Sequence, residues 1–265
     1  ACISSTTINN FDYDHVYQKA LEDEIFVCQP DLIGLTCMFT QSHRSLVDVR
    51  KKIKELTPQI PIACGGVHIS NSLQIKESTE QLIWDVHPDF LFRNECEIAF
   101  PRFINVVNRK ADIASLAQVV FSVEGKLIRF ENRMVPQVKD LHVLPAYDLS
   151  NPIQLSKWGK VGSYSGLIPE KKRFATVLSN RGCRAKCTFC SVRNFNGIGV
   201  RRRRVSSVVD ELLMLQEVYG VEHIMWLDDD FLYNRNESMA LFNEMIRRNI
   251  QLTWDCTNGV IVAAL

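Results

Sequence analysis

Short apolar runs alternate with helix-length stretches along this chain, and that alternation restricts its fold more than any other feature. Asp31 to Phe39 (DLIGLTCMF) follows Pro30 and reads as a buried strand. Ile60 to Cys64 (IPIAC) reads as the next, ending at Gly65-Gly66, and Pro88 to Phe92 (PDFLF) as a third. Between them, Ser42 to Leu56 and Ser70 to Trp84 are each long enough for a helix. His15 to Phe26 is a helix before these strands and Glu97 to Asn108 one after them. Strands separated by such helices pair in parallel through right-handed crossovers. The expected fold class is α/β, a doubly wound parallel sheet with its ligand crevice at the carboxyl ends of the strands. Residues 1–8 are a candidate earlier strand, with its usual predecessors upstream of Ala1.

Leu116 to Phe130 has the pattern of a hairpin turning at Glu124-Gly125. Residues 131–172, with Pro136, Pro145, Pro152 and Pro169, read as a linker too apolar to be a free tether. From Arg173 the alternation resumes, with Phe174 to Leu178, His223 to Leu227 and Leu252 to Cys256 as strands. Ser207 with Asp210 has the spacing of a capping box, ahead of a helix from Val208 to Tyr219 stopped at Gly220. Asn236 is the candidate N-cap for a helix from Glu237 to Arg248. This is β-α-β-α-β with polar residues at the strand ends, the opening of a (β/α) barrel. The expected division is 1–115, 116–172 and 173–265.

Composition narrows the function classes. With 31 Lys+Arg against 30 Asp+Glu, a net charge of +1, the chain as a whole has no electrostatic footprint for nucleic acid or an anionic membrane. A hydrophobic fraction of 46% and a charged fraction of 23% exclude disorder and collagen-like repeats. No apolar run approaches the ~18 residues of a spanning helix. The chain opens on Ala1 without a signal peptide and stops inside the apolar run Val260 to Leu265. The expectation is a fragment of a longer cytoplasmic protein, with apolar surface exposed and no activity when isolated.

Nine cysteines are mostly scattered, and without a secretory signal they do not form a disulfide framework. Cys37 and Cys64 sit in apolar runs, where a thiol acts as a small hydrophobe. Cys183, Cys187 and Cys190 differ, falling within eight residues as C-x3-C-x2-C. A closed structural zinc site needs four ligands, and an electron-transfer ferredoxin run needs a fourth nearby cysteine. Three ligands on a four-iron cluster leave one iron open to bind a substrate or cofactor.

Ser179-Asn180-Arg181-Gly182-Cys183 and the C-x3-C-x2-C run, with Phe189 before the last cysteine, lie after a strand and before a helix. In this the chain resembles the radical S-adenosylmethionine (SAM) superfamily. The resemblance implies Cys183, Cys187 and Cys190 as ligands of a 4Fe-4S cluster whose open iron chelates SAM. One-electron reduction then cleaves SAM to methionine and a 5′-deoxyadenosyl radical. Phe189 would pack against the adenine and Gly182 would let the backbone approach the cluster. Asp228-Asp229-Asp230 ends the second barrel strand, where the superfamily holds the SAM amino group, so Asp228 and Asp229 are candidates. The usual Gly-Gly-Glu form is absent, leaving open which Asp acts and whether the run is only a solvated acidic turn. Asn258 is a weaker candidate. Arg201 to Arg204 would close over the cluster or hold an anionic group, or be a solvated loop.

PDLIGLTCMF, IPIACGGVHIS and HPDFLFRNECEIAF resemble the cobalamin-binding subfamily. This implies a cobalamin crevice lined by Thr36, Gly65, Gly66 and His68. No D-x-H-x-x-G motif for histidine ligation of cobalt occurs, and His68 is expected to be structural. The resemblance implies methylation at an unactivated carbon or oxidative ring closure of a small-molecule substrate. Electrons would come from a one-electron donor such as flavodoxin or ferredoxin. Methylthiotransferases carry three cluster cysteines in the N-terminal domain, which Cys28, Cys37, Cys64 and Cys96 do not match. The alternative is a non-catalytic iron–sulfur or zinc module with a receiver-like domain, a sensor or interaction protein.

Overall fold

The computed structural model describes residues 13–154, 156 and 172–261. The chain divides into two compact units, the first running to Val135 and the second starting at Pro136. The candidate strand at residues 1–8 lies outside the described residues, as does most of the final apolar run.

The first unit is α/β, and its elements follow the expected order with shorter strands. Helix α1 (Tyr13–Cys28) precedes β1 (Ile33–Thr36), α2 (His43–Leu56) and β2 (Ile62–Gly65). The expected helix from Ser70 to Trp84 is two, α3 (Val67–Ser72) and α4 (Lys76–Val86), followed by β3 (Phe90–Phe92) and α5 (Ala99–Val107). The break is held by Thr79, whose hydroxyl donates to the Ser72 and Ile75 carbonyls between the helices. Hairpin strands β4 (Val119–Val123) and β5 (Lys126–Phe130) turn at Glu124 and Gly125, both at positive φ, as a type I′ turn requires.

The sheet order is β1-β2-β3-β4-β5, with the first three strands parallel and the hairpin added antiparallel along β3. Residues 116–130 therefore extend this sheet. Side chains alternate across it with the strand period of two. Ile62, Cys64, Leu91 and Val120 pack against α2, α3 and α4 through Leu46, Ile53, Ile69 and Leu82. Ala63, Phe92 and Val119 pack the opposite way, on Phe103 of α5. Helices on both faces explain why these strands read as continuous apolar runs.

The second unit begins its sheet with β6 (Phe174–Val177), followed by β7 (Asn180–Arg181), α6 (Val192–Asn196), β8 (Arg201–Arg202) and α7 (Val205–Glu217). Then come β9 (His223–Trp226), α8 (Arg235–Arg247) and β10 (Thr253–Cys256). Strands β6, β9 and β10 are parallel, in the order β10-β9-β6. One face buries Ala175, Val177, Ile224 and Trp226 against Leu212 and Leu215 of α7 and Leu241 of α8, and the other buries Phe174 and Met225.

Two expected caps move. The α8 cap is Asn234, whose side chain accepts from the Glu237 amide at 3.2 Å, so Asn236 lies inside the helix. Helix α7 starts at Val205, and Ser207 instead donates its hydroxyl to the His142 carbonyl at 3.1 Å. In both places the spacing identified a helix start nearby, and a competing acceptor or donor chose the residue.

Candidate functional site

Strands β7 and β8 form a two-stranded neck, pairing Asn180 with Arg202 and Arg181 with Arg201. The cysteine loop leaves and returns through it. Gly182 has φ 91°, and a Cβ there would strike the Gly199 carbonyl oxygen. Its missing side chain therefore serves the closure of the chain on itself. Cys183 is half-buried, while Cys187 and Cys190 are exposed. The Cys190 amide donates to the Cys187 carbonyl at 3.2 Å, and the Ala185 amide donates to Cys183 Sγ at 3.4 Å. Burial pushes the Cys183 thiol pKa up, and the Ala185 amide opposes it. Phe189 is 91% exposed beside them. Among the described residues no three His, Cys, Asp or Glu side chains converge on a point where a metal ion would sit. The donor chemistry nonetheless fits an iron–sulfur group, with three thiols on one pinned segment and two of them open to solvent.

The three consecutive aspartates after β9 divide their work. Asp228 is buried and accepts from the Ser179 amide (3.0 and 3.1 Å), the Ser179 hydroxyl (2.5 Å) and the Asn180 amide (2.7 Å). It fastens the chain where it enters the neck. Burial pushes its pKa up to about 6, against the downward pull of those donors and of Arg202. Asp229 is partly exposed and accepts from Asn196 Nδ2 at 3.0 Å, near the loop's return. Asp230 is buried and paired with Arg184, the residue after the first cysteine. Asn258 follows β10 and donates from Nδ2 to the Leu227 carbonyl at 3.0 Å, bracing the same strand end.

The arginine run is neither a lid nor a solvated loop over most of its length. Arg201 donates to the carbonyls of Pro136 and Asn196, at 2.7 and 2.8 Å. Arg202 is buried against Ser238 and Glu237 of α8. Arg203 pairs with buried Glu211 of α7 at 2.5 Å and donates to the Leu178 carbonyl at 2.9 Å. Glu211 also accepts from the Tyr147 hydroxyl at 2.5 Å, and burial with this carboxylate pushes the Tyr147 pKa up. Arg204 alone is exposed. A sequence shows the charges but not the acidic partners, Glu237 and Glu211, that turn Arg202 and Arg203 inward.

In the first unit, Thr36 and Gly65 are register partners at the carboxyl ends of β1 and β2. Thr36 is exposed. Gly66 has φ 104°, and a Cβ there would collide with the Cys37 carbonyl, so a side chain is excluded where the two strand ends approach. The His68 amide donates to that carbonyl at 3.1 Å. His68 is buried, with Nε2 3.0 Å from His43 Nδ1, and His43 Nε2 is 3.0 Å from Asp85 Oδ2. Sequence reading missed this chain because its members lie on α2, α3 and α4. It also missed Ser70, whose hydroxyl joins the Gly66 carbonyl to the Asn94 amide, both at 2.8 Å.

A three-stranded parallel sheet with a three-cysteine loop after its first strand, preceded by an α/β sheet, matches known proteins. Residues 177–264, a third of the chain and all within the second unit, match the model of the Radical SAM superfamily. The chain is 24% identical over 231 residues to an uncharacterized methyltransferase of Pyrococcus horikoshii, covering 87% of this chain and 46% of the relative. It is 23% identical over 249 residues to the cytidylyl-2-hydroxyethylphosphonate methyltransferase of Streptomyces wedmorensis, covering 87% and 45%. The chain thus spans about half the length of these curated relatives. Among solved structures it is similar to the radical S-adenosylmethionine methyltransferase TsrM from Kitasatospora setae, with TM-score 0.63 and 17% identity over 88% of this chain and 43% of that one. It is also similar to the cobalamin-dependent S-adenosylmethionine radical enzyme OxsB, with TM-score 0.65 and 18% identity over 90% and 32%. At these identities the likeness to the solved structures is one of fold. No helix among the described residues is long and apolar enough to cross a membrane.

Proposed function

We propose that this chain is part of a cobalamin-dependent radical SAM enzyme that methylates an organic small molecule at carbon. The observation that carries it is the three-thiol loop pinned at a β7–β8 neck beside the Asp228–Asp230 strand end. Both curated relatives are named methyltransferases, which favours methyl transfer over ring closure. The radical SAM match does not favour a non-catalytic sensor module.

Cys183, Cys187 and Cys190 would hold a 4Fe-4S cluster. When bound, the cluster supplies an electron that cleaves SAM to a 5′-deoxyadenosyl radical, and cobalamin supplies the methyl group. Of the three aspartates, Asp229 is the residue that is partly exposed, and its carboxylate, already held by Asn196, would accept hydrogen bonds from the SAM ammonium. Asp228 and Asp230 are buried, bound to the loop's entry at Ser179, Asn180 and Arg184. Phe189 offers an exposed aromatic face for the adenine. In the first unit, Thr36 and Gly65 would form the cobalamin rim, with Gly66 and His68 supporting it from beneath. A one-electron donor such as flavodoxin or ferredoxin would dock from outside.

Anaerobic reconstitution of the full-length protein with iron and sulfide tests this. About four irons, a SAM-dependent change in the reduced-cluster spectrum and 5′-deoxyadenosine are expected. Uptake of zinc alone with no response to SAM overturns it. Corrinoid absorbance retained after incubation with hydroxocobalamin tests the first unit separately.

A further inference from the structure

We propose that Asp230 and Arg184 are a positioning pair that sets the charge beside Cys183 and thereby tunes the reduction potential of the group this loop holds. The inference rests on the iron–sulfur reading above. Arg184 directs three donors at one carboxylate: Nε at 3.0 Å, Nη2 at 3.3 Å and its own backbone amide at 3.4 Å. The Asp230 side chain is fully buried, while Arg184 is 34% exposed. Both ends are braced. The Asp230 carbonyl accepts from Asn180 Nδ2 at 3.0 Å, and Arg184 Nη1 donates to the Tyr233 carbonyl at 3.2 Å. The guanidinium also lies 5.9 Å from the centre of the Tyr233 ring, within cation–π range.

Two consequences follow from this geometry. Arg184 is bonded to Cys183 through the peptide, so drawing its amide and side chain onto Asp230 fixes the backbone from which the Cys183 thiol projects. The pair also places one buried negative and one positive charge next to a centre that gains an electron on reduction. Away from bulk water such charges act with little screening. A negative neighbour opposes reduction and a positive one favours it. Asp230 and Arg184 therefore pull the potential in opposite directions.

The test is a spectroscopic redox titration of the reconstituted full-length protein and its variants. Asp230→Asn leaves the arginine uncompensated and moves the potential positive. Arg184→Met leaves the carboxylate uncompensated and moves it negative. The double variant returns toward the parent value. Arg184→Lys keeps the charge but not the fork, and is expected to hold the potential while altering the resonance signal of the reduced cluster. A purely structural pair would lower iron content without this alternation of sign. Unchanged potentials, or shifts of one sign in both single variants, overturn the proposal. If Asp230→Asn does not load, Arg184→Met must still titrate below Arg184→Lys, and equal values overturn it. A parent protein that takes up no cluster refutes the iron–sulfur reading itself, whereas a loaded parent without the sign pattern refutes only this inference.

Discussion

Gly182 and Gly199 face each other across the neck of the cysteine loop, so closely that the carbonyl of one fills the space where the other would carry a Cβ. Both have positive φ, but Gly199 has no atom within 4 Å of its own Cβ position. The two positions therefore separate strain from collision. Gly199→Ala meets only the backbone penalty, about 1–2 kcal/mol. Gly182→Ala meets that penalty plus a clash with backbone that cannot rotate away. Thermal unfolding should show a larger loss for Gly182→Ala, with lower iron retention. Equal losses would mean the neck is pliable.

Asp228 gives a pH signature of definite sign. Its folded pKa, about 6, lies above its ordinary value of 3.8. Between those values the folded state keeps a proton that the unfolded state has released. Stability contributed by this group is present below pH ~4 and is lost as pH rises to ~6, on the order of 3 kcal/mol in total. A carboxyl carbon titration should place the midpoint near 6. A midpoint near the ordinary value would show that the Ser179 and Asn180 donors fully offset burial. Asp228→Asn removes the titration but presents an amide to backbone donors, so it should also loosen the neck.

His68 titrates in the opposite sense. Burial, and then the neighbouring His43, hold its pKa below the usual imidazole value. The unfolded state binds the extra proton first, so stability falls as pH drops below ~6.5. If Asp85 accepts from His43 Nε2–H, then neutral His43 presents its Nδ1 lone pair to His68 Nε2–H. Nitrogen-detected titration should find the His68 midpoint below the usual imidazole value. His68→Gln should flatten this part of the acid limb.

The Tyr147–Glu211–Arg203 cluster is expected to be the costliest polar deletion in the second unit. Removing one partner of a buried pair strands a charge, at about 3–5 kcal/mol. Arg203→Met and Glu211→Gln should lie in that range by chemical denaturation, and Tyr147→Phe nearer 1–2 kcal/mol. Near-neutral values for the first two would show that water reaches the pair.

Cysteine replacement separates ligands from bystanders. Cys183→Ala, Cys187→Ala and Cys190→Ala should each lower cluster content, while Cys64→Ala and Cys96→Ala should not. Burial pushes both of those thiols up to about 12, so they behave as small hydrophobes in the first unit's core. A Cys187→Ala protein with a full iron complement would remove the ligand assignment.

Local features are legible in the order of the residues alone. The alternation of apolar runs and helical stretches gave the parallel strands of both units, because strand and helix periods are written in neighbouring residues. The C-x3-C-x2-C spacing marked its loop for the same reason. Tertiary structure decided what depends on partners far along the chain. Asp228 meets Ser179, Asp229 meets Asn196 and Asp230 meets Arg184, so three identical letters became three clasps on different parts of one loop. Arg202 and Arg203 turn inward because Glu237 and Glu211 await them, and His68 is buried because α2 and α4 bring His43 and Asp85 to it. A buried charge or imidazole is stable only with such a partner in place, and sequence spacing carries no record of that meeting.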